Sequence, residues 1–184
     1  MQTTGLLEEL SAIRRRTAAL LEAVPGDEAF AWQPHDGRAW SVAQCLEHLN
    51  HMNRLYFGEL RAALARATRT SAPVTAPIRS TWIGRKFAAM MEPGTMKMRA
   101  PKKAAPLAAR GRAEVTADFL RGLDEIEAAL NDAATIDLNR PTFQSPFFKP
   151  SRVRAGTGFR ILLAHMRRHL QQAEGVIQQV REVR

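Results

Sequence analysis

The sequence predicts an all-α protein: a four-helix bundle with a long crossover connection between helices two and three. Three observations lead there. Four segments carry apolar residues at the 3.6-residue helical period, no segment alternates at period two for long enough to make a strand, and one connection is far longer than the others. The 184 residues are 45% hydrophobic and 24% charged, a composition that supports a folded core, and residues 1–184 are read as a single domain.

The first helix, about residues 4–24, carries Leu6, Leu10, Ile13, Thr17, Leu20, Leu21 and Val24 on one face and ends at Pro25-Gly26. After a loop through Pro34-His35-Asp36-Gly37, Ser41 stands at an N-cap position with Gln44 three residues on, the spacing of a capping box. Val42, Cys45, Leu46, Leu49, Asn53, Tyr56, Leu60 and Leu64 extend the second helix to about residue 68. Trp40, just before the cap, is expected to pack against this helix as a hydrophobic staple. The third helix, about 106–131, has Pro106 in its first turn and Val115, Phe119, Leu123, Ile126 and Leu130 on its apolar face. The fourth, about 157–181, carries Phe159, Leu162, Met166, His169, Leu170, Ala173, Val176, Ile177 and Val180.

Residues 69–105 contain Pro73, Pro77, Pro93 and Pro101 and at most one short helix near Thr81 to Met91. That length allows helices two and three to run parallel, where a short loop would force them antiparallel. The excursion is also where the charge lies. The chain has 27 Lys and Arg against 18 Asp and Glu, a formal charge of +9, and between Arg66 and Arg112 Glu92 is the one acid among eleven basic residues. Such a segment can attract anions, but no recognition helix or aromatic platform accompanies it, so nucleic acid is not the expected partner. Cys45 is the lone cysteine, which excludes an intramolecular disulfide framework and favours a cytoplasmic setting. No apolar run approaches the roughly 20 residues of a membrane span, and Glu8, Glu9 and Arg14 to Arg16 interrupt the amino-terminal stretch that a secretory signal would need.

The histidines offer the chemistry. His165 and His169 stand at i, i+4, so both imidazoles leave the last helix on one side with Cβ atoms about 6 Å apart. A third ligand would have to come from another helix. His48 lies about 60° from Cys45, at the edge of the second helix's buried stripe, whereas His51 points away from it. On residues alone, a metal site and ordinary core or solvent-facing histidines both stay open; His51 is expected in solvent and His35 in a loop. Glu47 is expected on a solvated face, Gln172 as a hydrogen-bond partner of a ligand, and Cys45 as a small apolar core residue. Met90, Met91, Met96 and Met98 are expected as soft packing against the bundle.

The segment Trp40-Ser41-Val42-Ala43-Gln44-Cys45-Leu46-Glu47-His48-Leu49 and the closing segment Ala164-His165-Met166-Arg167-Arg168-His169-Leu170-Gln171-Gln172 resemble the DinB-like superfamily of metal-binding four-helix bundles. Ser145-Pro146-Phe147-Phe148 lies where that family often has a proline-containing segment. The resemblance places the metal ligands on His48, His165 and His169. It implies a divalent ion, commonly nickel or zinc, held by three neutral imidazoles with water at the remaining positions, so that binding should weaken below about pH 6.5. It further implies a homodimer and a metal-dependent enzyme acting on a small molecule. Characterised relatives include transferases that use low-molecular-weight thiols such as bacillithiol or mycothiol, and a hydrolase is the related expectation. No residue here matches a thiol-binding signature. The alternative is a non-catalytic bundle that binds a metal or an anionic partner. In the enzyme reading, the basic excursion shapes the mouth of the site for an anionic substrate.

Overall fold

The computed structural model describes residues 2–94, 105–106, 110–146 and 152–183. The chain is mostly helical, with one small two-stranded sheet. Helix α1 (Gln2–Ala23) is followed by the short α2 (Asp27–Ala31), with Gly26 between them at φ 95°, a conformation glycine adopts without a Cβ clash. The second predicted helix is a composite. Helix α3 (Val42–Met52) passes into a π-helical turn (Asn53–Phe57) and continues as α4 (Gly58–Ala65), ending earlier than the predicted residue 68. The capping box at its start forms as the spacing predicts: Gln44 N donates to Ser41 Oγ (3.1 Å), and Ser41 N donates to Gln44 Oε1 (3.0 Å).

Helix α5 (Trp82–Met91) occupies the excursion, capped by Thr81, whose hydroxyl accepts from Gly84 N. Backbone hydrogen bonds from Thr70 and Val74 to the carbonyls of Thr135 and Ala134 pin the start of the excursion to the 3₁₀ turn that follows α6 (Arg112–Asp132). Helix α6 starts at Arg112 rather than near Pro106. Gly111 is its extended N-cap, and the Arg110 guanidinium turns toward Glu47 and Asp118. After a 3₁₀ turn (Ala133–Thr135), β1 (Thr142–Gln144) pairs antiparallel with β2 (Arg152–Arg154), Phe143 opposite Val153. Strands of three residues are too short to show an alternation, which is why the sequence pattern misses them. Helix α7 (Ala155–Val183) follows directly.

The long helices pack pairwise, α1 against α6 and α7, and α3 against α6 and α7. Their apolar faces meet in a single core containing Leu10, Ile13, Leu46, Leu49, Phe119, Leu123, Phe159 and Leu170. The first three turns of α7 are buried on nearly every side, a broader burial than the predicted stripe, because α5 and the hairpin cover the face turned away from α1 and α3. Its glycines permit that approach: a Cβ at Gly156 would lie 2.7 Å from Ile78, and one at Gly158 would lie 2.7 Å from the Phe143 ring. Met91 and Phe87 of α5 pack against the core as half-buried residues, while Met96 and Met98 lie outside the described residues, as do Lys97, Arg99, Lys102, Lys103, Phe147 and Phe148.

Gly158→Ala should destabilise the protein by about 1–3 kcal/mol in urea denaturation, since the added methyl overpacks an aromatic contact. Gly175→Ala, on the same helix with nothing within 4 Å of the added Cβ, should stabilise it by about 0.5–1 kcal/mol through helix propensity. Equal effects at the two positions would contradict the close packing of the α7 amino terminus.

Candidate metal centre

Each candidate ligand reaches its place through a local rule already on the page. The capping box fixes the first turn of α3, and six residues later His48 faces α7, 2% exposed. From α7, His165 and His169 point back from successive turns, 9% and 8% exposed. The three rings meet through Nε2: His48 to His165 at 3.2 Å, and His169 to His165 at 3.1 Å. One ligand atom from each lies within 4.8 Å of the others.

The hydrogen bonding selects a tautomer for one ring. His169 Nδ1–H donates to Gln172 Oε1 at 3.0 Å, which leaves the Nε2 of the neutral ring as a lone pair directed at the cluster. Gln172 is therefore the outer partner that the sequence predicts. A single Nε2–H on His165 can satisfy one neighbour and not both, so three Nε2 atoms packed this closely suit a shared cation better than one another. Metal–nitrogen distances of about 2.0–2.1 Å would separate cis ligands by about 3.0 Å in octahedral and about 3.4 Å in tetrahedral geometry. The observed separations fall between these values, and three imidazole donors suit a borderline divalent ion.

Burial disfavours protonation here. Desolvation, reinforced by the other histidines and by Arg168, pushes His165 well below the ordinary histidine value, and burial with His48 nearby pushes His169 down to about 3 despite its bond to Gln172. Neutral imidazole, the form that coordinates, therefore persists below pH 6.5, and any proton competition begins at lower pH than the reference histidine value suggests.

Trp40 packs against the core and α3 as expected while staying half-buried, and its ring lies over the cluster, 4.9 Å from the His48 centroid and 5.6 Å from that of His169 in a stacked arrangement. Cys45 is fully buried as expected, and burial raises its thiol pKa, which makes it a poor thiolate ligand. His35 is an exposed loop residue at φ 55°. His51 is half-buried rather than in open solvent, and His35 and His51 are both outside the cluster.

Glu47 corrects the expectation of a solvated face. Its residue is 3% exposed, and its carboxylate accepts from Arg110 Nη1 (3.1 Å), Asn50 Nδ2 (3.3 Å) and Arg54 Nη2 (3.5 Å). Arg110 also pairs with Asp118 of α6 at 2.7 Å, holding that carboxyl below its usual range. The network ties α3 to α6 one residue from His48. A signal was present in the sequence: Glu47, Asn50 and Arg54 form an i, i+3, i+7 polar stripe on the face away from α7. Between the two α7 histidines, Arg167 joins Glu9 of α1 (2.7 Å) and Glu92 at the end of α5 (3.1 Å), while Arg168 donates to the carbonyls of Met90 (3.2 Å) and Glu92 (3.3 Å). These arginines fasten the excursion beside the cluster.

The depressed histidine pKa values set a direction for stability in metal-free protein. Unfolded histidines take up protons near pH 6.5 while the buried ones do not, so stability is full above that pH and falls as the pH drops toward their folded values. The slope reaches about 1.4 kcal/mol per pH unit for each such histidine. Urea midpoints of chelator-treated protein at pH 7.5, 6.5 and 5.5 should show this fall, and His165→Phe/His169→Phe should flatten it. An unchanged slope in the double variant would place the effect elsewhere.

No curated protein matches the chain, and no solved structure does. The model of the DinB superfamily matches residues 9–173, a span that contains the capping box of α3 and all three clustered histidines. With nearly the whole chain matched, the protein belongs to the DinB superfamily.

Proposed function

We propose that His48, His165 and His169 hold one divalent metal ion, nickel or zinc, and that the chain is a metal-dependent enzyme of the thiol-dependent transferase or hydrolase type acting on a small molecule. The observation that carries this is the meeting of three buried imidazoles from two helices, with the Nε2 atoms of His48 and His169 3.1–3.2 Å from that of His165. Family membership supports it. When bound, such an ion supplies Lewis acidity that lowers the pKa of water or a thiol toward neutrality.

The chain's own residues do the rest. Gln172 holds the proton on His169 Nδ1 and so keeps Nε2 as the donor atom. Trp40 covers one side of the cluster and excludes water there. Arg167 and Arg168 keep the end of α5 beside the histidines, which supports a role for the basic excursion as the rim of the site, with Arg85 and Lys86 raising the local concentration of an anionic substrate such as a low-molecular-weight thiol. The pairwise packing of α1, α3, α6 and α7 supports a four-helix bundle in which the excursion is the crossover. A homodimer in a cytoplasmic setting completes the proposal; no helix among the described residues is long and apolar enough to cross a membrane. The near-complete burial of all three histidines favours a second reading, a bundle that holds the ion without catalysis. Turnover with a panel of thiols and electrophiles separates the two.

Elemental analysis of native protein should find one divalent ion per chain. His48→Ala, His165→Ala and His169→Ala should each lose it, while His35→Ala and His51→Ala keep it. Gln172→Ala should weaken affinity by about 10- to 100-fold in competition with a chelator. Full stoichiometry in folded His165→Ala would overturn the assignment. Charge reversal at Arg85 and Lys86 should raise KM for an anionic substrate at low salt and leave the metal content unchanged.

A further inference from the structure

A second concave site lies away from the histidines, where the end of α4 meets the β1–β2 hairpin. It is a cleft of about 280 Å³ whose described lining is Arg66, Arg140 and Arg152 together with Thr68, Thr142, two alanines and a proline. Arg66 is about 27 Å along the α3–α4 helix from His48 at 1.5 Å per residue, so the cleft is separate from the metal centre. Its three arginines come from three separate parts of the chain: the C-cap of α4, the turn before β1, and β2. No carboxylate is among the described residues that line it.

Two of the three guanidiniums have a partner at Nε, although the Arg140 side chain is 85% exposed. Arg152 Nε donates to Thr142 Oγ1 at 3.1 Å, and Arg140 Nε faces Asp137 Oδ2 at 3.5 Å. Both contacts use Nε, and the paired Nη groups lie beyond it at the ends of the forks. Among the described residues, Asp137 is the acid that pairs with this set, and it also accepts from Gln2 and Asn139. The carbonyl end of α4 contributes partial negative charge of about half an elementary unit, well short of three full positive charges. Three like charges around one cleft repel one another, and an anion seated between them reverses the sign of that energy.

We propose that this cleft binds the phosphate of a small phosphomonoester. A carboxylate offers two oxygens, and a backbone phosphodiester offers two terminal oxygens with one charge. A monoester offers three terminal oxygens and carries about −1.5 to −2 charge at pH 7, which matches three guanidinium forks and two hydroxyls. The organic part of the ester lies against the alanine and proline wall.

Isothermal titration at low salt tests this with glycerol 3-phosphate, inorganic phosphate, dimethyl phosphate and acetate, and with phosphatidylcholine vesicles with and without phosphatidic acid. Glycerol 3-phosphate should saturate the protein and bind at least about tenfold tighter than dimethyl phosphate or acetate. Arg66→Gln, Arg140→Gln and Arg152→Gln should each weaken it by about tenfold, and the triple variant should abolish binding with metal content and unfolding midpoint unchanged. Vesicle binding that depends on phosphatidic acid, without saturation by the soluble ester, would transfer the site to a lipid headgroup and overturn the small-molecule assignment. Failure of glycerol 3-phosphate to saturate by about 20 mM, equal affinity for dimethyl phosphate, or unchanged binding by the triple variant would overturn the proposal altogether.

Discussion

Three buried imidazole nitrogens, two of them within 3.1–3.2 Å of the third, are the constraint on which the rest of the structure turns. Buried polar atoms need partners, and lone pairs that face one another repel. The protein accepts this cost at one place and arranges the surroundings to fix it. Gln172 orients one ring from outside, and Trp40 covers two of the rings. The same burial that lowers the histidine pKa values keeps the rings in the form that coordinates a cation. Desolvation and ligand readiness are thus one property here.

Holding α3 and α7 in register is what keeps the nitrogens together, and charge does this at the cluster's edges. Glu47 and Asp118 share Arg110, fastening α3 to α6 on the side opposite the histidines. Arg167 bridges α1 and the end of α5 from the turn between His165 and His169. A single exposed ion pair contributes little, but the Glu47 carboxylate is almost wholly enclosed, and a buried carboxylate left without its arginines is strongly unfavourable. The network therefore selects one packing of the helices more than it adds stability to it.

Much of this was legible in the sequence where one helix carries the whole signal. The Ser41–Gln44 spacing predicts a box that forms atom for atom, and the i, i+4 spacing of His165 and His169 predicts their shared direction. His48 joins them because its angle on α3 could be measured from the apolar stripe. What escaped the sequence depends on two elements meeting. Glu47 reads as solvated until α6 and Arg110 are placed over it, and the packing of Trp40 on α3 gives no sign of His169 until α7 brings that ring beneath it. The π-helical turn at Asn53–Phe57 leaves the hydrophobic pattern of a continuous helix intact, so periodicity passes over it.

The basic excursion shows most clearly how a charge count differs from a charged surface. Counted along the chain, Arg66 to Arg112 is one positive block. Folded, Arg69 pairs with Asp132, Arg110 with Glu47 and Asp118, and Arg112 donates to the carbonyls of Leu21 and Val24 near the end of α1. These three arginines tie helix ends together and are not an open patch. Arg85 and Lys86 remain on the exposed face of α5, where the ammonium of Lys86 sits 5.1 Å above the exposed Trp82 ring. Arg66 instead lines a cleft with two arginines from outside the block. The positive charge thus divides into structural ties, two cations on the exposed face of α5 and the arginines that line a separate cleft.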